Sequence, residues 1–481
     1  MKASDDDRWR TEWLVVAVGV VLCTWASTDR AAGQCELGTL LADDGTSGDD
    51  FGGAVAVDGD VAVVGAPEDD DDGSSSGAAY VFRLLDSAWM QEQKLTASDG
   101  DSFDDFGFAV AVSGDMIVVG SPRDDHALGD NAGSVYVFEH DGLEWVQQAK
   151  LTASDADGDD RFGTSVAISG NTLAVGAKQN DDVVSNSGSA YVFHGSSGEW
   201  QEQGKLTADD PVQSAQFGHS ISIDGDGIVV GAWQDQAEGM FLVGSAYLYR
   251  REGDSWSQEA KLTASDAADF RWFGQAVAIA GDTVLVGAYG DRADDLSESG
   301  GAYFYQLLDE QWTEVANVNA SDPAANARFG WSVALQGGLA IIGSGSSTPA
   351  AYCFGLTAGA GWIEHAILTP AEPEISGEYG YSVAISETIG LVGDRASFSG
   401  TGSAFVFDLL MSPDDCGGAS CEGDANGDGA VDPLDSGFVL ARFGCPVGTG
   451  DPTCDSADVN ADGEVNPLDS GFVLARFGEC P

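Results

Sequence analysis

Basic residues are scarce in this chain of 481 residues, because 20 lysines and arginines stand against 79 aspartates and glutamates and give a net charge of −59. A surface this acidic repels phosphate backbones and anionic headgroups, so we expect neither nucleic acid nor a membrane as a partner. The aspartates have two interpretations: an acidic surface that keeps the protein soluble, or clusters that bind cations. Only 13 prolines accompany 65 glycines, a balance typical of tight turns between short strands.

Long hydrophobic runs are also missing. The apolar run at residues 14–25 has only about 12 residues where a membrane span needs about 20. Basic residues precede this run, and the small residues Ala31, Ala32 and Gly33 follow it. The arrangement predicts a secretory signal peptide over residues 1–33, and therefore a secreted or cell-surface protein without membrane insertion.

Signatures of catalysis are absent as well. No Gly-x-Ser-x-Gly, His-Glu-x-x-His or phosphate-binding loop occurs, and the five histidines occupy unrelated positions. We therefore expect a protein that is not an enzyme. The abundance of carboxylates leaves one alternative open, a polysaccharide-degrading enzyme of the glycoside hydrolase type whose acid pair is hidden among them.

Self-similarity is the dominant feature that the sequence does have. A Phe-Gly pair, Tyr-Gly in the last copy, recurs at spacings of 55, 56, 55, 56, 56 and 50 residues. Each copy continues with alternating apolar segments separated by glycine-containing turns, which predicts four antiparallel strands. Such sheets bury their faces by stacking around an axis, so we predict a mainly β fold, a seven-bladed β-propeller over residues 36–411. The copies start at Phe51, Phe106, Phe162, Phe217, Phe273, Phe329 and Tyr379.

The seventh copy predicts how the ring closes. It ends after the segment 403–410 and lacks a fourth strand. Residues 37–44 match the end of the fourth strand of other copies and lead directly to Phe51. We expect this N-terminal strand to complete the last blade, which leaves the ring without an open edge.

These copies resemble the FG-GAP repeat family, whose blades form the heads of integrin α-subunits. Integrin-type blades carry an Asp-x-Asp-x-Asp-Gly calcium loop between their first two strands, whereas this chain has tight turns there, such as 58–60 and 169–171. The resemblance therefore does not imply calcium in the blades. The long loops on one face form either a solvated rim or a weak site for a cation, a glycan or a protein. They include residues 68–72, 124–125, 155–160, 181–182 and 294–295.

After a predicted linker at residues 412–420, a twelve-residue loop occurs twice, 34 residues apart. In each copy side-chain oxygens fall at positions 1, 3, 5, 9 and 12, a backbone carbonyl falls at position 7, and glycine at position 6 allows the sharp turn. This spacing gathers the oxygens that Ca²⁺ requires, and it predicts two bound ions. The predicted ligands are Asp424, Asn426, Asp428, the Ala430 carbonyl, Asp432 and Asp435, and Asp458, Asn460, Asp462, the Glu464 carbonyl, Asn466 and Asp469.

Each loop enters the same segment, at 433–444 and 467–478, whose apolar stripe and closing glycine predict a helix. A calcium loop followed by one helix, duplicated, resembles the type I dockerin domain, a small α-helical, EF-hand-like module, here over residues 421–481. The resemblance implies folding on calcium and docking onto a cohesin domain. Positions 10 and 11 of both loops are Pro-Leu instead of the polar pairs of many dockerins, so the partner is either cohesin-like or another extracellular protein.

The cysteines agree with export. Once Cys23 leaves with the signal peptide and Cys353 is set aside in a blade strand, six cysteines allow 15 connectivities. Position along the chain favours the pairs Cys35–Cys416, Cys421–Cys480 and Cys445–Cys454. The sequence as a whole predicts a protein of attachment or cell adhesion, in which the propeller presents a recognition surface and the tail binds a partner.

Overall fold

The computed structural model describes residues 35–410, apart from 86–87, 197, 237–239, 294–295, 346–349 and 371–377. Its strands form seven antiparallel sheets of four strands each. In six sheets the strands follow chain order, whereas the seventh combines three late strands with the first strand described. The predicted mainly β, seven-bladed propeller is confirmed. The described part of the chain contains no helix that is long and apolar enough to cross a membrane.

The strands of the first four blades alternate with short turns and longer loops. Blade 1 contains β2 (Ala54–Asp58), β3 (Val61–Ala66), β4 (Ala78–Leu85) and β5 (Ala88–Leu95). Blade 2 contains β6 (Ala109–Ser113), β7 (Met116–Ser121), β8 (Ser134–His140) and β9 (Trp145–Leu151). Blade 3 contains β10 (Phe162–Ser169), β11 (Thr172–Ala177), β12 (Ser189–Ser196) and β13 (Glu199–Leu206). Blade 4 contains β14 (Ser220–Asp224), β15 (Gly227–Ala232), β16 (Ser245–Glu252) and β17 (Ser255–Leu262).

The last three blades follow the same plan. Blade 5 contains β18 (Phe273–Ala280), β19 (Thr283–Ala288), β20 (Gly301–Leu308) and β21 (Gln311–Val318). Blade 6 contains β22 (Phe329–Gln336), β23 (Leu339–Ser344), β24 (Ala350–Thr357) and β25 (Gly361–Leu368). Blade 7 contains β26 (Tyr379–Ser386), β27 (Ile389–Asp394), the short helix α1 (Ser397–Gly400), β28 (Ser403–Asp408) and β1 (Cys35–Leu40).

The ring closes through β1, as the sequence predicted. β1 pairs antiparallel with β28, with Cys35 opposite Asp408 and Leu40 opposite Ala404. The strand begins two residues earlier than expected and ends at Leu40, so residues 41–44 belong to the following loop. Because the first and last described strands share one sheet, the seven blades have no unpaired edge at the point of closure.

Glycines set the distance between neighbouring blades. A Cβ on Gly287 in β19 would lie 2.0 Å from the carbonyl oxygen of Gly330 in the next blade. Gly330 itself has φ +85°, and a Cβ there would lie 2.3 Å from the carbonyl oxygen of Gly301. The same contact recurs at the other blade interfaces. The Phe-Gly backbone of one blade is therefore wedged against the second strand of the preceding blade, where only glycine fits.

The aromatic residues of each repeat fill the space beside these glycines. Phe273 is buried and packs edge-to-face on Tyr303 of the same blade, with ring centroids 5.4 Å apart. Phe273 also packs with Leu248 of the preceding blade in one hydrophobic cluster. Such aromatic pairs add about 0.5–1.5 kcal/mol beyond the area that they bury, so the repeated Phe stabilises both the blade and its interface.

The first strands surround the axis and end at the face opposite the long loops. Residues at their ends line a cavity of 540 Å³ to which all seven blades contribute. Turn N–H groups there bond side chains of the preceding blade, as Gly281 does to Asp224 at 2.6 Å and Gly114 to Asp58 at 2.8 Å. For the turn at Gly337, the corresponding residue of the preceding blade is Ala280, whose side chain has no oxygen. Six of the seven blade interfaces carry this bond among the described residues.

Candidate functional site on the loop face

The long loops share one face of the propeller, as the sequence predicted. The loop after the second strand of blade 1 meets the loop that enters blade 2: the Phe103 N–H donates to the Ser74 carbonyl at 2.8 Å, and the Asp105 N–H to the Ser75 carbonyl at 3.2 Å. Similar bonds join the later blades. Backbone bonds of this kind hold the loops in fixed positions, so side chains on this face are positioned by the frame.

A recurring group of polar side chains lies between neighbouring blades on this face. In blade 4 the Tyr247 hydroxyl lies 3.0 Å from Asp210 and 2.9 Å from Asp235, whose side chain is fully buried. Lys261 lies 2.7 Å from Asp210 and 2.9 Å from Asp235. A cation and a hydroxyl thus satisfy one oxygen of the buried carboxylate, and its other oxygen accepts the Gln236 N–H at 2.8 Å.

We call these groups the Tyr–Asp–Lys clusters. Blades 1 to 3 repeat the arrangement. In blade 3 an asparagine replaces the buried aspartate, and Asp182 forms an ion pair with the lysine. Blade 5 retains the tyrosine and both aspartates, but Arg271 replaces the lysine on Asp291. The repeated members are Tyr80, Asp44, Asp69 and Lys94; Tyr136, Asp99, Asp124 and Lys150; and Tyr191, Asp155, Asn180 and Lys205.

The pKa values of these groups follow from burial and pairing. Burial raises the pKa of Tyr247, and the charges of Asp235 and Asp210 raise it further, so the hydroxyl stays protonated. For Lys261, burial lowers the pKa, but hydrogen bonds to Asp210 and Asp235 outweigh it and raise the pKa above its usual value. The lysine therefore stays charged, and it pairs with a buried aspartate of its own blade and with an exposed aspartate on the connection from the preceding blade.

These contacts give a few aspartates of the Asp-rich loops a role other than the solvated rim or weak cation site that the sequence left open. Asp69 and Asp124 are buried and bonded to tyrosine and lysine, while Asp70 and Asp125 next to them are exposed. The residues described contain no group of three or more His, Cys, Asp or Glu placed to hold a metal ion. Neighbouring acidic residues in these loops therefore serve two purposes, and the buried ones join the second-strand loop of a blade to its third and fourth strands.

A different set of residues surrounds the axis, and we call it the axial ring. Each blade contributes three residues. They are the residue before its Phe-Gly or Tyr-Gly pair, the residue after that pair, and the second residue after the glycine near the end of its second strand. Unlike the clusters, these positions hold a different residue in nearly every blade. Around the ring they are Asp50, Gly53 and Pro67; Asp105, Phe108 and Pro122; Arg161, Thr164 and Lys178; Gln216, His219 and Trp233; Trp272, Gln275 and Tyr289; Arg328, Trp331 and Gly345; and Glu378, Tyr381 and Arg395.

Aromatic side chains occupy the axial ring from blade 4 to blade 7. Trp272 stacks on Tyr289 with centroids 4.7 Å apart and an interplanar angle of 10°. Tyr289 lies 5.1 Å from Trp331, which lies 5.6 Å from Tyr381. The Arg395 guanidinium sits 4.0 Å above the Tyr381 ring. Stacked rings and cation–π contacts give this sector a rigid surface of flat groups.

The remaining sectors of the axial ring are charged. Asp50 and Asp105 have pKa values raised to about 6, chiefly by burial and against the pull of Arg395 and Arg123 respectively. Burial, together with the nearby charges of Arg161 and Arg123, lowers the pKa of Lys178 to about 8. The ring is therefore polarised between acids on blades 7, 1 and 2 and the cations Arg161 and Lys178 on blade 3, with two further cations, Arg328 and Arg395, among the aromatics of blades 4 to 7.

Sequence reasoning missed this ring, although a signal was present. The seven positions immediately after Phe-Gly differ from one another while their neighbours repeat. The twelve predicted calcium ligands, Asp424 to Asp469, lie outside the described residues. So do the predicted helices and every cysteine of the three expected disulfides except Cys35. Within the described range Cys353 is buried and unpaired, as expected.

Comparison with known proteins gives the class to which this geometry belongs. The family model described as FG-GAP repeat matches residues 36–82, 89–138, 145–193, 200–249, 256–305 and 312–354, more than half of the chain. The chain belongs to the FG-GAP repeat family. The model described as Dockerin type I domain matches residues 422–477. No curated protein matches the chain.

The matched units are offset from the blades by one strand. Each unit starts near an outer strand, such as β5 at Ala88–Leu95, and ends in the third strand of the next blade, such as β8 at Ser134–His140. The first unit begins at residue 36, inside β1. This offset explains how the ring closes. The first unit begins with an outer strand that has no blade of its own, so this strand completes the last blade.

Proposed function

We propose that this protein is a secreted, non-catalytic attachment protein, in which the tail binds two Ca²⁺ ions and docks onto a cohesin-like or other extracellular protein. The observation that carries the proposal is the type I dockerin match at residues 422–477. Type I dockerin domains bind calcium and cohesin partners, and they occur in extracellular proteins. The loops that begin at Asp424 and Asp458 supply the oxygen ligands that a hard cation requires.

The propeller contributes the second half of the proposed function. Rigid blades with a polarised axial ring offer a recognition surface, since binding residues commonly lie on loops that a stable frame positions. The buried carboxylates of the Tyr–Asp–Lys clusters bond tyrosine and lysine, which supports a structural role for them over catalysis. Hydrolysis of a polysaccharide by the purified protein would contradict the non-catalytic part of this proposal.

Calcium titration of the whole chain by calorimetry tests the tail. We expect two ions for the wild type, one each for Asp435→Ala and Asp469→Ala, and none for the double variant, because each substitution removes the ligand at loop position 12. Asp72→Ala, at an exposed loop residue of blade 1, is the matched control and should retain both ions. Two ions bound by the double variant would assign the calcium to other residues and overturn the proposal.

A further inference from the structure

One lysine of the propeller differs from all the others described. Lys94, Lys150, Lys205 and Lys261 each lie within 3.0 Å of two or more aspartates in the Tyr–Asp–Lys clusters. Lys178, the fifth lysine of the described range, forms no ion pair there, and its ammonium lies 5.8 Å from the centre of the Phe108 ring. It is half-buried beside two further cations, Arg161 and Arg123, which oppose its charge. A desolvated cation without a counter-charge destabilises a fold, so a role in binding explains its presence better than a role in stability.

Two further polar atoms near Lys178 also lack partners. The Nε of Arg161 and the Nδ1 of His219 are buried without a hydrogen-bond partner among the described residues. The Lys178 charge acts on His219, whose pKa burial lowers to about 3. The imidazole is therefore neutral at physiological pH, and Arg161 and Lys178 supply the positive charge. Buried polar atoms without hydrogen-bond partners are uncommon in folded proteins, and they mark places where a ligand or water can complete the bonding.

The aromatic sector of the axial ring begins immediately beside this group. His219 lies 5.0 Å from Trp233, and Trp233 lies 6.3 Å from Tyr289. Toward the rim the aromatic surface continues through Phe270, 6.2 Å from Trp272, to Phe241, whose carbonyl accepts the Phe270 N–H at 2.9 Å. Phe241 is 59% exposed and Phe270 49% exposed. Exposed aromatic side chains on two loops that are bonded to each other, as here, are typical of interaction sites.

We propose that the axial ring binds a saccharide that carries a carboxylate, with the carboxylate at Arg161 and Lys178 and the sugar rings against Trp233 and the aromatic side chains toward the rim. Guanidinium and ammonium groups form charge-assisted hydrogen bonds with carboxylates. The apolar C–H faces of a pyranose pack against flat aromatic rings, while its hydroxyls bond the polar groups at their edges. A ligand with a single negative charge suits the site, because the net charge of −59 repels a dense polyanion.

This inference deepens the proposed function by naming the ligand class of the propeller, and it does not involve the tail. The test compares two probes that differ by one carboxylate, a xylo-oligosaccharide with one glucuronate side group and the same oligosaccharide without it. Calorimetric titration of the whole chain should show at least about tenfold tighter binding of the charged probe. Lys178→Gln should abolish this difference, and Trp233→Ala should weaken both probes by about tenfold or more.

The control variant is Arg250→Gln, since Arg250 pairs with Glu259 at 3.1 Å on the outer strands and should not affect binding. Equal affinity for the two probes, no binding to the wild type, or an unchanged preference in Lys178→Gln would each overturn the inference. A short peptide with one glutamate that binds as tightly as the charged saccharide would overturn the assigned ligand class. Calcium stoichiometry measured on the same samples separates these outcomes from a failure of the tail.

Discussion

The Tyr–Asp–Lys clusters and the axial ring lie on the same face of the propeller and are built from successive blades. In the clusters, blade after blade uses the same residue types, and the buried charges are paired. In the axial ring each blade contributes different residues, and Lys178 forms no ion pair with the residues described. Repetition thus accompanies contacts within and between blades, whereas divergence accompanies a cation, Lys178, that has no ion pair among the described residues. Whether a residue recurs from blade to blade therefore indicates whether it serves the fold or binding.

The largest expected effect concerns a repeated glycine that sets the spacing of the blades, on which both regions depend. Gly287→Ala places a Cβ 2.0 Å from the Gly330 carbonyl oxygen, so the blades must separate, and we expect a loss of about 3 kcal/mol or more in the free energy of unfolding. Urea denaturation followed by tryptophan fluorescence measures it. Gly204→Ala is the matched control, because a Cβ there meets nothing within 4 Å. Equal stability of the two variants would contradict the account of blade spacing.

A repeated cluster residue gives the next largest effect. Tyr247→Phe removes the hydroxyl between Asp210 and Asp235 and leaves the buried Asp235 with one bond fewer, which should destabilise the fold by about 1–3 kcal/mol. The phenylalanine itself fits, since Phe405 occupies the equivalent position of blade 7. The urea midpoint provides the measurement. A variant as stable as the wild type would show that the hydroxyl is dispensable and weaken the contrast between the two regions.

Replacing a charged residue of the axial ring should instead stabilise the fold. Asp105 has a folded-state pKa of about 6 because it is buried, above the value of about 3.9 in an unfolded chain. Its ionisation therefore destabilises the fold above pH 6, and this penalty disappears as the pH falls below about 4. We expect Asp105→Asn to be more stable than the wild type by about 1 kcal/mol at pH 7.5 and equally stable at pH 4.

Urea midpoints measured from pH 4 to pH 8 test this prediction, with the exposed turn residue Asp115, changed to Asn, as the control. The difference between Asp105→Asn and the wild type should grow from about pH 4 to about pH 6 and then stay level. A difference that stays constant over this range, or one that favours the wild type at pH 7.5, would show that the Asp105 carboxylate is stabilised by its surroundings.

The smallest expected effect concerns the turns on the face opposite the long loops, where repeated side chains also join the blades. Ala280→Ser supplies the side-chain oxygen that the turn at Gly337 lacks, as Ser113 does for Gly170 at 3.3 Å. One added hydrogen bond between blades should stabilise the fold by about 0.5–1 kcal/mol. Thermal unfolding of this variant beside Ala280→Val, which adds bulk without an oxygen, measures the gain. Equal melting temperatures would mean that the bond contributes nothing.

The sequence was sufficient for the blade number, the strand pattern and the closure by β1, because each depends on local period and on repetition along the chain. It could not show which aspartates of the loops are bonded, since partners such as Asp210 and Tyr247 are far apart in sequence and meet only in the folded chain. The axial ring depends on seven blades meeting at one axis, so no local pattern could show that Trp272 stacks on Tyr289. The twelve calcium ligands of the tail remain predictions.

The central claim is that repeated positions stabilise the fold and divergent ones serve binding, and one pair of variants tests it most directly. Lys261→Met removes a cation that two aspartates hold, at 2.7 and 2.9 Å, whereas Lys178→Met removes one without an ion pair in the described range. We predict that the urea midpoint at pH 7.5 falls for Lys261→Met, by about 2–4 kcal/mol in unfolding free energy, and stays level or rises for Lys178→Met. An equal loss of stability in both variants would contradict the account.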